Sequence, residues 1–186
     1  MLPIRDMDAL TKAFEGKASF WVKDLATGSS HSYNPDVPMP TASVCKVPVM
    51  LELFRRAHEG TLSLDERRTL SGKISRHGSG VLSSMADAPT MTLRDYCRLM
   101  ITVSDDIATD VLINLLTPDA INATLESMGF QNTRTSMTMG AWHYSYAGIT
   151  GEPSPEKDRV LAQVFAKSPP SLDNPAYSSA LTNNVA

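Results

Sequence analysis

From Leu93 to Met128 the apolar residues return every three or four positions, and that period runs through consecutive segments separated only by short polar breaks. Leu93, Tyr96, Leu99, Met100 and Val103 make the first set, Ile107, Val111, Leu112, Leu115 and Leu116 the second, and Ile121, Leu125 and Met128 the third. Such spacing lines one face of an α-helix, so a chain with these faces in succession has to bury helix against helix. Thr92 and Asp95 give the first segment a capping signal, Ser104 interrupts it, Pro118 stops the second and Gly129 ends the third.

The flanks are mixed. Ile4, Met7, Leu10 and Phe14 share one helical face, and Ala18 to Leu25, the turn residues Ala26-Thr27-Gly28-Ser29, and Ser32-Tyr33-Asn34-Pro35 read as a β-hairpin. Beyond Pro38 and Pro40 a helix is predicted from near Ser43, with Val47, Met50, Leu51 and Phe54 on one face and Gly60 as its stop. Pro48 lies early enough in it to cause a slight bend and no break. Gly72 to Pro89 reads as loop around one short helical piece, Glu156 to Lys167 as a last helix, and Thr182 to Ala186 as polar loop. The expectation is an α+β fold in a single domain over 1–186, with helix and hairpin in 1–38, a helical region in 39–150 and a proline-rich loop region in 151–186.

Composition excludes several function classes. Net charge is −3, and no run of five or more Lys and Arg provides a nucleic-acid footprint. No apolar stretch approaches the roughly 20 residues of a membrane span. Cys45 and Cys97 are too few for a disulfide framework, no CxxC occurs, and His31, His58, His77 and His143 show no paired spacing, so neither metal nor cofactor is expected. Cys45 reads as packing and not as a nucleophile, Cys97 as core, and Trp142-His143-Tyr144-Ser145-Tyr146 as an aromatic plug over the helices. Arg5, Asp6, Asp8, Lys12 and Glu15 interrupt any apolar leader, which reads as a cytoplasmic chain or one whose leader is removed.

Chemistry is suggested first by Ser43-Val44-Cys45-Lys46, where a hydroxyl and an amine three residues apart share a helix face. An amine there can activate the serine, and helix-start amides can stabilise an oxyanion beside it. The spacing alone is weak: with 20 serines and 7 lysines in the chain, chance supplies roughly one such match, and a second stands at Ser154-Pro155-Glu156-Lys157. Ser104-Asp105-Asp106 likewise doubles as ordinary N-capping sequence for the helix that follows.

Taken in order, Ala42-Ser43-Val44-Cys45-Lys46-Val47-Pro48, Ser79-Gly80-Val81-Leu82, Met91-Thr92-Leu93-Arg94-Asp95 and Met100 to Asp106 resemble the class A β-lactamase family and its class-A-like, penicillin-recognising serine hydrolase relatives. The resemblance takes in the hairpin and the Met128-Gly129-Phe130 helix end, an N-terminal portion of the family over about residues 5 to 135. It implies the β-lactamase-like fold with its C-terminal strands missing. It also implies Ser43 as the acylated nucleophile, Lys46 as the lysine that helps deprotonate it, Ser104 as a proton relay to the leaving nitrogen, and Asp106 at a substrate-binding position. The implied substrate is a small β-lactam or a related amide or peptide, and the implied location is periplasmic or extracellular. A D-alanyl-D-alanine peptidase or esterase-like penicillin-binding protein, and a non-catalytic truncated relative, stay open beside it, as does oligomeric state.

Three departures carry physical content. Asp106 stands where the family usually has Asn, and a carboxylate accepts hydrogen bonds without donating. If it approaches Lys46, its charge favours the ionised amine and weakens that amine as a base. The family's Glu-x-x-x-Asn loop finds no match at Glu152 or Glu156, which leaves the hydrolytic water without a positioned base, and no Lys-Thr-Gly is present to bind a substrate carboxylate and complete the oxyanion hole.

Overall fold

The computed structural model describes residues 4–167 apart from Pro38, Pro40 and Lys73, so the sequence expectation for Thr182 to Ala186 lies outside the described residues. The chain divides into two compact units, Met1–Met39 and Pro40–Ala186.

In the first unit α1 (Ile4–Ala13) precedes an antiparallel hairpin of β1 (Phe20–Lys23) and β2 (Ser30–Tyr33), in the register Phe20 to Tyr33 and Lys23 to Ser30. The Asp24 carboxylate accepts the Ala26 and Thr27 N–H groups and Gly28 takes φ +73°, which closes the turn. Phe20 stacks on Tyr33, and His31 Nε2 lies 2.8 Å from Asp8 Oδ1 of α1. Among the described residues this sheet holds these two strands alone.

The second unit is a helical assembly around α4. A 3₁₀ turn at Ala42–Cys45 leads into α2 (Lys46–His58), and α3 (Leu93–Thr102), α4 (Asp106–Leu116), α5 (Pro118–Ser127), α6 (Met139–Tyr146) and α7 (Pro155–Lys167) follow. Every residue from Asp106 to Ile113 is buried, so the first two turns of α4 are enclosed on all sides. Val49 and Leu53 of α2, Leu93, Tyr96 and Met100 of α3, Ile107 and Leu112 of α4, and Ile121 of α5 form one core, where burying each large side chain contributes about 1.5–3 kcal/mol. The capping signals act as expected: Thr92 accepts from Asp95 N–H, and Gly60 and Gly129 adopt positive φ beyond α2 and α5. Pro48 is buried within the first turn of an unbroken α2, while Pro118 opens α5 as well as ending α4.

Two elements depart from the sequence reading. Arg67–Thr69 (β3) pairs antiparallel with Thr90–Thr92 (β4), a small second sheet that brackets the expected loop, whose helical piece is a 3₁₀ turn at Leu82–Ser84. The aromatic segment around Trp142 is itself α6, with Gly140, Trp142, His143, Tyr144 and Tyr146 buried.

Candidate active site

The geometry around Ser43 starts with a 3₁₀ turn. At three residues per turn, positions i and i+3 eclipse, which brings Lys46 under Ser43. Lys46 is buried, and its ammonium meets four acceptors: Asp106 Oδ1 at 2.6 Å, Ser104 O and Ser104 Oγ at 2.8 Å, and Ser43 Oγ at 3.4 Å. An ammonium has three donors, so the longest contact, to Ser43, is the one left over. The near partner of Ser43 is Ser104, with the two Oγ atoms 2.7 Å apart. Two non-glycine residues at this junction hold left-handed backbone, Ala42 with φ +44° directly before Ser43 and Ser104 with φ +55°. Each such conformation costs of order 1–3 kcal/mol, and surrounding structure has to enforce it.

At Ser104, enforcement comes from the carboxylates that follow it. Asp105 caps α4 through Oδ1 to Ala108 N–H and takes Val81 and Leu82 N–H on Oδ2. Asp106 gives Oδ1 to Lys46 and Oδ2 to Ser79 N–H at 2.9 Å, and Ser79 Oγ donates to Ser104 O. Asp106, read from the sequence as a substrate contact, therefore turns both oxygens inward, with only 8% of its side chain exposed. The approach needs glycine: a Cβ on Gly78 would lie 2.5 Å from Asp106 Oδ2, and one on Gly80 would lie 2.5 Å from the Asp105 Cα.

Asp110, one turn beyond Asp106, accepts Met139 N–H on Oδ1 at 2.6 Å and Gly140 N–H on Oδ2 at 2.9 Å. Burial raises its carboxyl to about 7, helped by the Asp106 charge and opposed by the two amides and Lys46. Nothing in the sequence reading singled Asp110 out; its signal is a carboxylate amid the apolar run Ile107 to Leu112. Burial lowers His143 to about 4 and also lowers His77, leaving both rings neutral at pH 7. The rings of His77 and His143 meet edge to face and both contact Phe165 of α7. Cys45 is half-buried with Sγ 4.0 Å from Met139 Sδ, and burial raises its thiol to about 11, which suits packing and not nucleophilic attack.

The second Ser-x-x-Lys spacing has another fate. Ser154 Oγ accepts the Lys157 backbone N–H and the Lys157 ammonium donates to Glu152 O, so this copy is a helix start without a paired hydroxyl and amine. Glu152 lines a cavity of about 680 Å³ together with Arg68, Ser75, Asp110, Tyr144 and Pro153, among whose lining residues Ser43, Lys46 and Ser104 do not figure. Glu156 lies in the exposed first turn of α7.

The chain is 29% identical over 122 residues to the β-lactamase regulatory protein BlaB of Streptomyces cacaoi, covering 65% of this chain and 39% of that protein. It is also 29% identical over 131 residues to β-lactamase L2 of Stenotrophomonas maltophilia, covering 70% and 43%. A crystal structure of a β-lactamase from Sphaerobacter thermophilus superposes with a TM-score of 0.69 at 26% identity, over 96% of this chain and 65% of that one. The chain thus spans about two fifths of these curated relatives. The sequence profile of the β-lactamase enzyme family matches residues 3–167, and the chain belongs to that family.

Proposed function

We propose that the chain is a serine hydrolase of β-lactamase type that opens β-lactam or related amide substrates through an acyl-enzyme on Ser43. The observation that carries this reading is the relay of Ser43 Oγ, Ser104 Oγ and Lys46 Nζ, linked at 2.7 and 2.8 Å. Ser43 Oγ bonds to the substrate carbonyl carbon and the carbon–nitrogen bond breaks. Ser104 passes its hydroxyl proton to the departing nitrogen and takes the proton of Ser43, so the relay balances. Lys46, beside both oxygens, lowers the cost of the negative charge that develops on them. Asp106 anchors Lys46.

A long-lived acyl-enzyme, as in a penicillin-binding protein, is the second reading. It is favoured by the carboxylates: Asp106 has both oxygens engaged, and Glu152 lines a cavity apart from the nucleophile. Neither Asp106 nor Glu152 then stands ready to activate a water attacking the ester.

Intact-mass measurement after exposure to a fluorescent penicillin tests the acylation step. One covalent adduct that Ser43→Ala abolishes is expected, and a folded chain that forms none would sink the reading. Steady nitrocefin turnover would select the β-lactamase form over the persistent acyl-enzyme.

A further inference from the structure

We infer that Asp110 is a positioning residue, an ionisable clamp that holds the start of α6, and through Met139 the nucleophile turn, in place. The catalytic consequence of the clamp rests on the reading of Ser43 as nucleophile; the clamp itself does not.

The contacts form one chain across the unit. Asp110 sits on the enclosed helix α4 and spends both carboxyl oxygens on the first amides of α6, those of Met139 and Gly140. Gly140 packs too closely for a side chain, since a Cβ there would lie 2.7 Å from Ser75 Cβ and 3.0 Å from Asp110 Oδ2. Thr138 adds a cap through Ala141 N–H. Met139, fixed in this way, places its sulfur 4.0 Å from Cys45 Sγ, within the turn that presents Ser43. Releasing α6 frees one wall of that turn.

Ionisation sets the strength of the clamp. The carboxyl titrates at about 7 while docked, and near the ordinary aspartate value of about 3.9 once α6 opens and water reaches it. The docked form binds the proton more tightly, so docking weakens as pH rises through that interval. The charged groups acting on Asp110 are Asp106 on its own helix and Lys46 from α2; His143 is buried on α6, and Asp158 of α7 accepts from Ser75. Arg68 and Glu152 line the cavity that Asp110 borders. His143 also titrates differently when α6 opens, but it is shared by wild type and an Asp110 variant and cancels in their ratio.

Hydrogen exchange of the 138–146 segment, corrected for intrinsic rates and referenced to α3, measures the clamp without any substrate. The opening constant of wild type divided by that of Asp110→Asn is expected to rise about tenfold between about pH 6 and about pH 8. Asp110→Ala is expected to open α6 more than Asp110→Asn at every pH, because the amide keeps an acceptor for one N–H. The labelling rate of Ser43 by a fluorescent penicillin, taken as the same ratio, should fall as opening rises. A pH-independent exchange ratio overturns the clamp. A shifting exchange ratio with an unmoved labelling ratio overturns its role in positioning Ser43. Complete absence of Ser43 labelling beside a shifting exchange ratio overturns the acyl-enzyme reading and leaves the clamp supported.

Discussion

Lys46 Nζ and Asp106 Oδ1 lie 2.6 Å apart with 2% and 8% of their side chains exposed, an ion pair formed across 60 positions of sequence. Removing one partner of such a pair strands the other in a poorly solvated site. Asp106→Ala is expected to cost about 3–5 kcal/mol in urea unfolding. Asp106→Asn should cost less, because one oxygen remains, but its amide must face either the Lys46 ammonium or the Ser79 N–H. An Asn variant as stable as wild type would show that two acceptors are not required at 106.

Gly78→Ala should damage the same site from the other side. The new methyl meets Asp106 Oδ2 at 2.5 Å, at a backbone φ of +121°. Strain of about 1–3 kcal/mol is expected, together with slower Ser43 labelling as Asp106 is displaced. Thermal unfolding and the penicillin adduct rate check the two effects separately.

Asp110 and His143 pull stability in opposite directions with pH. The Asp110 carboxyl, raised to about 7, makes the native state bind more protons than the unfolded chain between about pH 4 and 7, so its contribution falls as pH rises there. His143, lowered to about 4, does the reverse up to about pH 6.5. The two largely offset in wild type. In Asp110→Asn the lowered histidines His143 and His77 are no longer opposed, and unfolding free energy should climb from about pH 4 to 6.5, by up to roughly 3 kcal/mol from His143. A flat denaturation profile for this variant would contradict the assignment.

Cys45 should react slowly despite its position two residues from Ser43. A thiol at about 11 is only about one part in ten thousand thiolate at pH 7. Cys97 is buried with its thiol also raised. Ellman's reagent is expected to titrate both promptly in denaturant and neither promptly in the native protein; fast native labelling of Cys45 would refute the packing role.

Ser104→Ala removes the hydroxyl 2.7 Å from Ser43 Oγ. If Ser104 carries the proton to the leaving nitrogen, the second-order rate of Ser43 acylation should fall about 10²–10⁴-fold. Stopped-flow labelling with a fluorescent penicillin measures this, and a change below about tenfold would place the relay elsewhere.

What the sequence made legible is what local spacing encodes. The helices from Leu93 to Ser127 follow from their own apolar period and from caps such as Thr92, features settled within a few residues. The β3 and β4 pairing was hidden because Arg67, Arg68 and Thr69 are all exposed and show no alternation, and because the partners lie some 20 positions away. The α6 helix was hidden because it is buried around most of its circumference, which leaves no contrasting polar face to reveal a period. At the site, motif spacing brings Ser43, Lys46, Ser104 and Asp106 into view, whereas Asp110 and the Gly78 and Gly80 approaches depend on where α4, α6 and the 75–82 segment meet in space.

The left-handed backbone at Ala42 and Ser104 has a consequence for engineering and for drift. Directed evolution for thermal tolerance would find a cheap gain at Ala42, since glycine adopts φ near +44° without penalty, and none at Ser104, whose Oγ accepts from the buried Lys46 ammonium. The Ala42 replacement would let Ser43 wander among orientations, so robustness and reactivity should trade against each other here, and a lineage selected only for persistence would be expected to soften that joint first.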